Sequence, residues 1–319
     1  LKATDPKIPS LDDALNPETA ARALGAVLGP LVVREARLIR HRAGRRALVR
    51  YRLNRSERRE VVLGKIRARG TDKQSHAVQS ELHDAGIPVP RTLGLVPEFS
   101  MWLQEEIDGA EATKLLGGDS GKRVAAQAAR LVRSLHSSGV KPRREPHTIE
   151  DELRILEERL PAVRKTRPEL SGRIRRLTEA AGELAQGTPA PPGTTGIHRD
   201  FYQDQTLLGG DGRLYLLDLD LYCEGDPALD AGNFLAHTAE QSLREAGSPD
   251  ALAACEESFL KAFLEDRADR GELTERIRTY RTLTLMRHVW ISNRIPERRV
   301  FTPQILSLCE SLLSGRHPA

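Results

Sequence analysis

The chain is poor in cysteine: Cys223, Cys255 and Cys309 are far apart and odd in number within 319 residues. That excludes a disulfide framework and any cysteine-based zinc spacing, and makes a reducing compartment the default. Long apolar runs are also missing, since none approaches the ~20 residues of a membrane-spanning helix. The opening stretch LKATDPKIPSLDD has no apolar signal region. The expected location is therefore the cytoplasm, with no membrane partner. Charge is nearly balanced, 49 Lys and Arg against 45 Asp and Glu, yet each sign is scarce in one segment. Between Arg34 and Arg69, only Glu35, Glu57 and Glu60 oppose a dense series of arginines and Lys65. Between Asp200 and Glu240, a single Arg213 faces a series of acids. The basic segment alternates with apolar residues, so it reads as solvated strand faces rather than a nucleic-acid surface. What the chain does have is enough apolar residues, 39%, for a sizeable core, and a length that suggests two lobes.

Local signals divide the chain. Asn16 followed by Pro17 marks a capped helix start. ARLIRHR, RALVRYRL and REVVLGKIRA read as strands separated by turns at RAGR and NRSE. A polar helix over DKQSHAVQSELHDAG ends at Gly86, and two further strands flank Pro97-Glu98. After Gly109 the pattern is helical. Ser120 and Thr148 are predicted caps, the latter with Asp151 as an acidic capping box. Asp226-Pro227, Ser248-Pro249 and Thr302-Pro303 are predicted helix starts, and another helix covers ELTERIRTYRTLTLMRHVWISNRI. The expected fold class is α+β: a small antiparallel five-strand sheet lobe over 1–107 and a larger, mainly helical lobe over 108–319.

The stretch GIHRDFYQDQTLLGGDGRLYLLDLD, 196–220, carries the chemistry. The turn GGDG folds TLL back on RLYLLD. Opposed side chains in an antiparallel pair sit ~5 Å apart, so Gln205 and Asp218 are expected as neighbours, with Asp200 in the loop just before. Two carboxylates and an amide carbonyl form an oxygen-rich set suited to Mg²⁺, which takes one or two carboxylates plus substrate phosphates. Competing motifs fail. His198 has no second zinc ligand at a usable spacing. DLDLYCEGDPALD has Cys223 where a calcium loop needs Gly. GGDSGKR has Arg123 where a Walker motif needs Ser or Thr.

HRDFYQDQ followed by LLDLD and GDPALDAGNFLAH resembles the protein-kinase-like fold, and within it the aminoglycoside phosphotransferase and choline kinase family. VVLGK, LHDAGIPVPRTLG, WLQEEIDG and AARLVRSLHSSG extend the resemblance over most of the chain. The resemblance implies ATP and Mg²⁺ as cofactors. It implies that Asp200 orients the acceptor hydroxyl and takes its proton, that Gln205 and Asp218 bind Mg²⁺, with Asp220 as an accessory ligand, and that Lys65 contacts the phosphates. His198 and Asp230 would be structural supports of the catalytic turn, and Glu81 the partner of Lys65. Adenine would meet the hinge backbone at Glu105 and Ile107. The nucleotide loop would use Gly44 with Arg45 or Arg46. Departures are Gln205 for the usual Asn, one glycine in the nucleotide loop, and no clear early glutamate in the small-lobe helix.

The expected activity is transfer of the ATP γ-phosphate to a hydroxyl of a small polar molecule such as an aminoglycoside, amino alcohol or sugar. The acidic segment favours a cationic or neutral acceptor, and the chain is expected as a monomer or homodimer. The alternative is a nucleotide-binding pseudokinase that regulates a partner, motivated by Gln205 and the missing glycines.

Overall fold

A computed structural model describes residues 5–55 and 58–315. Ser56 and Glu57, in the second expected turn, lie outside the described residues. The chain divides into two compact units, Leu1–Asp108 with Tyr215–Asp220, and Gly109–Leu214 with Leu221–Ala319. Residues 215–220, expected in the 108–319 lobe, are grouped with the first unit.

The first unit contains α1 (Leu11–Leu15), α2 (Pro17–Leu28), β1 (Val32–Arg42), β2 (Arg46–Arg55), β3 (Arg58–Arg67), α3 (Lys73–Asp84), β4 (Thr92–Val96) and β5 (Met101–Glu105). The five strands form one antiparallel sheet in the order β1-β2-β3-β5-β4. Strand alternation decides its faces. Ala47, Val49, Tyr51 and Leu53 of β2 and Val62 and Ile66 of β3 are buried together with Leu11, Ala20 and Leu24 of the two leading helices. Asn16 fixes the start of α2 by accepting from Glu18 N at 2.9 Å and Thr19 N at 3.3 Å. The opposite sheet face carries Arg46, Lys65 and Arg67 from alternate positions. It also meets α3, whose Gln79 donates to Gln104 of β5 at 3.2 Å. β1 is an edge strand, and its arginines discourage pairing with other chains.

The second unit begins with β6 (Gly109–Glu111) and α4 (Ala112–Leu116). There follow α5 (Gly121–His136), α6 (Ile149–Thr166), α7 (Ser171–Gln186), β7 (Thr195–Ile197) and β8 (Thr206–Gly209). The chain then turns, with Gly212 N donating to Gly209 O at 2.9 Å and Gly212 at φ +79°, and enters β9 (Leu214–Leu216), whose last two residues are counted with the first unit. β10 (Cys223–Gly225), α8 (Pro227–Ala246), α9 (Ala253–Phe263), α10 (Arg270–Arg294) and α11 (Thr302–Leu313) complete the second unit. Leu156, Leu160, Ile174, Ala236, Leu283 and Leu306 belong to one buried core drawn from five of these helices. Among the described residues, no helix is long and apolar enough to cross a membrane.

Several predicted helix starts differ. Asp226 caps α8 as expected, accepting from Ala228 N at 2.9 Å. Ser248-Pro249 instead opens an irregular turn, in which Ser248 Oγ accepts from Asp250 N at 3.3 Å. Leu252 N is drawn to Ser242 Oγ at 3.0 Å, and α9 starts only at Ala253. Thr302 is already helical because a 3₁₀ run over Pro296–Phe301 feeds α11 directly; its hydroxyl pairs with Ser292 at 2.9 Å. Ser120 stands at the start of α5 without a side-chain capping bond. Thr148 and Asp151 do form the expected box, with Thr148 N donating to Asp151 at 2.9 Å.

The crossing of α8 and α10 depends on Gly232. A Cβ there would lie 2.6 Å from Tyr280 Cβ and 2.7 Å from Arg281 N. Backbone cannot yield as a flexible side chain does, so Gly232→Ala is expected to destabilise the protein by about 1–3 kcal/mol or more, read as a lower urea midpoint.

Next to that crossing, buried Glu256 accepts from Arg281 at 2.8 Å. Burial pushes its carboxyl up to about 7, against the opposing pull of Arg281. A folded-state value above the unfolded one favours folding at low pH. That contribution is lost as pH rises through about 7. Over this range it amounts to roughly 3 kcal/mol. Glu256→Gln keeps a neutral acceptor for Arg281 and should change stability little below pH 7, where the carboxyl is already protonated. It should also remove this component of the decline between pH 5 and 8, measured by chemical denaturation of both proteins.

Candidate active site

In the first unit, cross-strand register builds a cationic cluster. Arg46 of β2 stands opposite Arg67 of β3, and Lys65 stands between Leu48 and Trp102 of the flanking strands. Lys65 Nζ lies 4.6 Å from the centroid of the buried Trp102 ring, an arrangement that suits an ammonium. Three cations on one sheet face repel, and the 215–220 segment supplies the compensation. Asp220 Oδ2 accepts from Arg46 at 2.9 Å and also from Arg67, and Asp218 lies 3.8 Å from Arg46. Burial lowers the Lys65 ammonium from its ordinary value, against the pull of Asp218 and then Asp220. Burial, and next the Asp220 charge, push Asp218 up. For Asp220 burial also acts upward, but Arg67 and Lys65 together hold it below the ordinary range.

The sequence reading placed Asp218 on a strand, opposite Gln205. In the structure β9 stops at Leu216, whose N–H goes to Pro88 O at 2.8 Å. Asp218 adopts φ +55°, a left-handed conformation that aspartate tolerates better than most residues. Ladder geometry is therefore not what positions its carboxylate.

In the second unit, a network fastened to α8 holds the turn after β7. Asp230 is fully buried. It accepts from His198 N at 2.8 Å, Arg199 N at 2.7 Å and His136 Nε2 at 2.8 Å. Arg199 has φ +69°, a conformation that costs a bulky residue of order 1–3 kcal/mol unless its surroundings enforce it. The enforcement is bilateral, because Asn233 donates to Arg199 O at 2.8 Å. Asn233 is in turn oriented by Thr284, which donates to its Oδ1 at 2.7 Å. His136 and Asn233 escaped the sequence reading. Asn233 could have been found, since it stands three residues after Asp230 and so shares its helix face. His136 could not, lying 94 positions away.

The constrained turn presents Asp200, whose N–H faces His198 Nδ1 at 3.3 Å. Gln205 closes a 3₁₀ turn over Gln203–Gln205, with its N–H on Tyr202 O at 2.9 Å. Among the described residues, neither the Asp200 carboxylate nor the Gln205 amide has a hydrogen-bond partner, whereas neighbouring Gln203 is buried and bonded to Gln241 at 2.8 Å. Both oxygen-bearing groups are half-buried and available to a ligand.

The remaining expected residues differ in their engagement. Gly44 has φ +66°, and its N–H donates to Asp5 Oδ2 at 2.7 Å. A phosphate at this amide must displace that carboxylate. Arg45 is exposed in the turn, while Arg46 is committed to Asp220. Glu105 N donates to Arg91 O at 3.0 Å, and its side chain accepts from Arg91 N at 2.9 Å. Ile107 is half-buried just beyond β5. Glu106 grips Arg50 with both oxygens at 2.7 and 2.6 Å. Glu81 sits on the exposed side of α3; the buried side carries Ser75, Val78, Gln79 and Leu82. Asp218 and Asp220 are the carboxylates whose charge bears most on Lys65.

A divalent cation fits the chemistry of these donors. Two half-buried acids, Asp218 and Asp220, of which Asp218 is pushed up by burial and then by the Asp220 charge, would gain from a nearby cation. Among the described residues, no three His, Cys, Asp or Glu side chains form a complete ligand set. A cation here would draw on amide, water and phosphate oxygens, which is the habit of Mg²⁺.

A family model described as the phosphotransferase enzyme family, APH, matches residues 35–275. No curated protein sequence matches the chain. Among solved structures, spectinomycin phosphotransferase APH(9)-Ia in complex with ADP and spectinomycin aligns with a TM-score of 0.66 at 12% identity, over 93% of this chain and 98% of that one. Choline kinase LicA from Streptococcus pneumoniae aligns at 0.59 and 15% identity, over 93% and 98%. A choline/ethanolamine kinase family protein from Mesorhizobium loti aligns at 0.57 and 18% identity, over 94% and 92%. At such identities the likeness is one of fold, the protein-kinase-like fold.

Proposed function

Because the chain belongs to the phosphotransferase enzyme family, we propose that it moves the γ-phosphate of ATP to a hydroxyl of a small polar molecule, with Mg²⁺ as cofactor. The observation that carries this reading is the unpartnered Asp200 carboxylate, set on a turn whose backbone is pinned on both sides by Asp230 and Asn233. Asp200 accepts the hydrogen bond of the acceptor hydroxyl, fixes the direction of its oxygen, and takes its proton as the new O–P bond forms and the bond from the γ-phosphorus to the β,γ-bridging oxygen breaks, releasing ADP. Lys65 holds the α- and β-phosphates. Asp218 and Gln205 would hold the cation, which would supply charge neutralisation to the phosphates when bound. Glu105 and Ile107 offer backbone groups to adenine, and Arg45 is the loop arginine left for phosphate. Asp220 acts chiefly as counter-ion to Arg46 and Arg67, keeping them from crowding Lys65. Catalysis of this kind rests on positioning and charge neutralisation. The acids Asp204 and Glu224 leave the acceptor side of the second unit negative and suit a cationic or neutral acceptor, and the reaction belongs to the cytoplasm.

The test is incubation with labelled ATP, Mg²⁺ and a panel of aminoglycosides, amino alcohols and sugars. Label on an acceptor, lost when Mg²⁺ is chelated, supports the reading. ATP bound tightly with no transfer to any acceptor would favour the pseudokinase alternative.

A further inference from the structure

The second unit contains a cavity of about 330 Å³ whose wall includes Arg133 at the end of α5, Arg267, Asp269, Arg276 of α10, and Thr194 in the loop before β7. None of these side chains has a part in the transfer described above. Arg276 is only 1% exposed. Its Nε lies 3.1 Å from Asp226 and its Nη2 3.5 Å from Asp269, while Nη1 has no hydrogen-bond partner among the described residues. Arg267 Nε is likewise buried and unpartnered. Arg133 spends one nitrogen on Ala262 O at 2.8 Å and retains the rest of its fork. Three guanidiniums thus face two carboxylates, Asp226 and Asp269. The first turn of the 20-residue α8 reaches the same wall at Pro227 and adds the positive end of its dipole.

Three guanidiniums against two carboxylates leave this wall net positive, and a ligand rich in acceptor oxygens balances that charge. The planar fork of arginine matches phosphate oxygens in pairs. Size narrows the class further. At about 30 Å³ for each water's share of volume, the cavity of about 330 Å³ has room for roughly eleven waters, enough for a molecule larger than orthophosphate. We propose that this cavity binds a small phosphate-bearing molecule through Arg133, Arg267 and Arg276, at a place separate from the nucleotide-binding residues. His136, which also lines the wall, joins it to the Asp230 network.

The test is calorimetric titration of the full chain with methyl phosphate and with inorganic phosphate, against sodium chloride at equal ionic strength. The expected result is saturable binding that weakens at least tenfold in Arg267→Gln and in Arg133→Gln and persists in Lys65→Met. Arg276 is too buried to be the sole probe, so two less buried arginines are used, each first checked for an unchanged unfolding midpoint in chloride. Tighter binding of methyl phosphate identifies an ester as the occupant, and tighter orthophosphate the free ion; either supports the oxyanion site. Heats no larger than those of chloride would overturn the proposal. So would binding that disappears in Lys65→Met and survives in Arg267→Gln, because the phosphate would then be at the nucleotide-binding residues.

Discussion

Asp200→Asn is expected to lower the rate of phosphate transfer by about 10²–10⁴-fold, the usual share of a positioned general base, with ATP affinity and thermal midpoint nearly unchanged. The split follows from where the side chain stands. Its carboxylate bonds to no described residue, so the fold loses no internal contact when the charge goes. Asparagine can still accept a hydrogen bond from the acceptor, so KM should move less than kcat. The measurement is steady-state kinetics beside nucleotide-induced thermal stabilisation. A variant that retains full turnover would remove Asp200 from the chemistry; one that unfolds would show that the residue supports the fold.

Asp230→Ala should do what Asp200→Asn does not, lowering both stability and activity. Three hydrogen-bond donors converge on this buried carboxylate. Its removal leaves two backbone N–H groups and His136 without a partner, and Arg199 without one side of the restraint on its left-handed backbone. Breaking a buried polar network of this kind costs about 3–5 kcal/mol, a large part of a typical stability of roughly 5–15 kcal/mol. Activity should drop even at temperatures where the variant stays folded, because the turn that aims Asp200 loosens. Asp230→Asn keeps one acceptor oxygen and should recover part of the stability. Urea denaturation and turnover, measured on both variants at low temperature, separate the effects. Loss of stability with unchanged kcat in the folded variant would mean that the network holds the fold without aiming the base.

Much of the architecture follows from signals that act over a few residues. Alternating apolar positions in RALVRYRL and VVLGKIRA set the sheet face. Asn16 and Asp226 start their helices because a short acceptor side chain reaches a backbone N–H two residues on. Glycines in GGDG permit the tight turn, and His198, Asp200 and Gln205 stand on one short stretch whose spacing is itself the motif. Where the same local rules met a competing partner they failed. Ser248 resembles a cap, but Ser242 claims Leu252 N, and the helix is delayed to Ala253.

The tertiary structure decided everything that depends on distant residues meeting. Asp220 reads in the sequence as a spare metal ligand; packing of 215–220 with the first unit makes it the counter-ion of Arg46 and Arg67, 174 and 153 positions away. The carboxylates whose charge bears most on Lys65 are Asp218 and Asp220, far along the chain, and the buried stripe of α3 turns Gln79 toward the sheet. His136 reaches Asp230 across 94 positions, and Asp5 closes on Gly44 across 39. The sequence by itself determined which elements form and which side chains are able to do the chemistry, because capping, turn formation and alternation act over one or two turns of chain. It did not determine who pairs with whom, because ion pairs and buried hydrogen bonds exist only once close packing has brought the groups together and excluded water from between them.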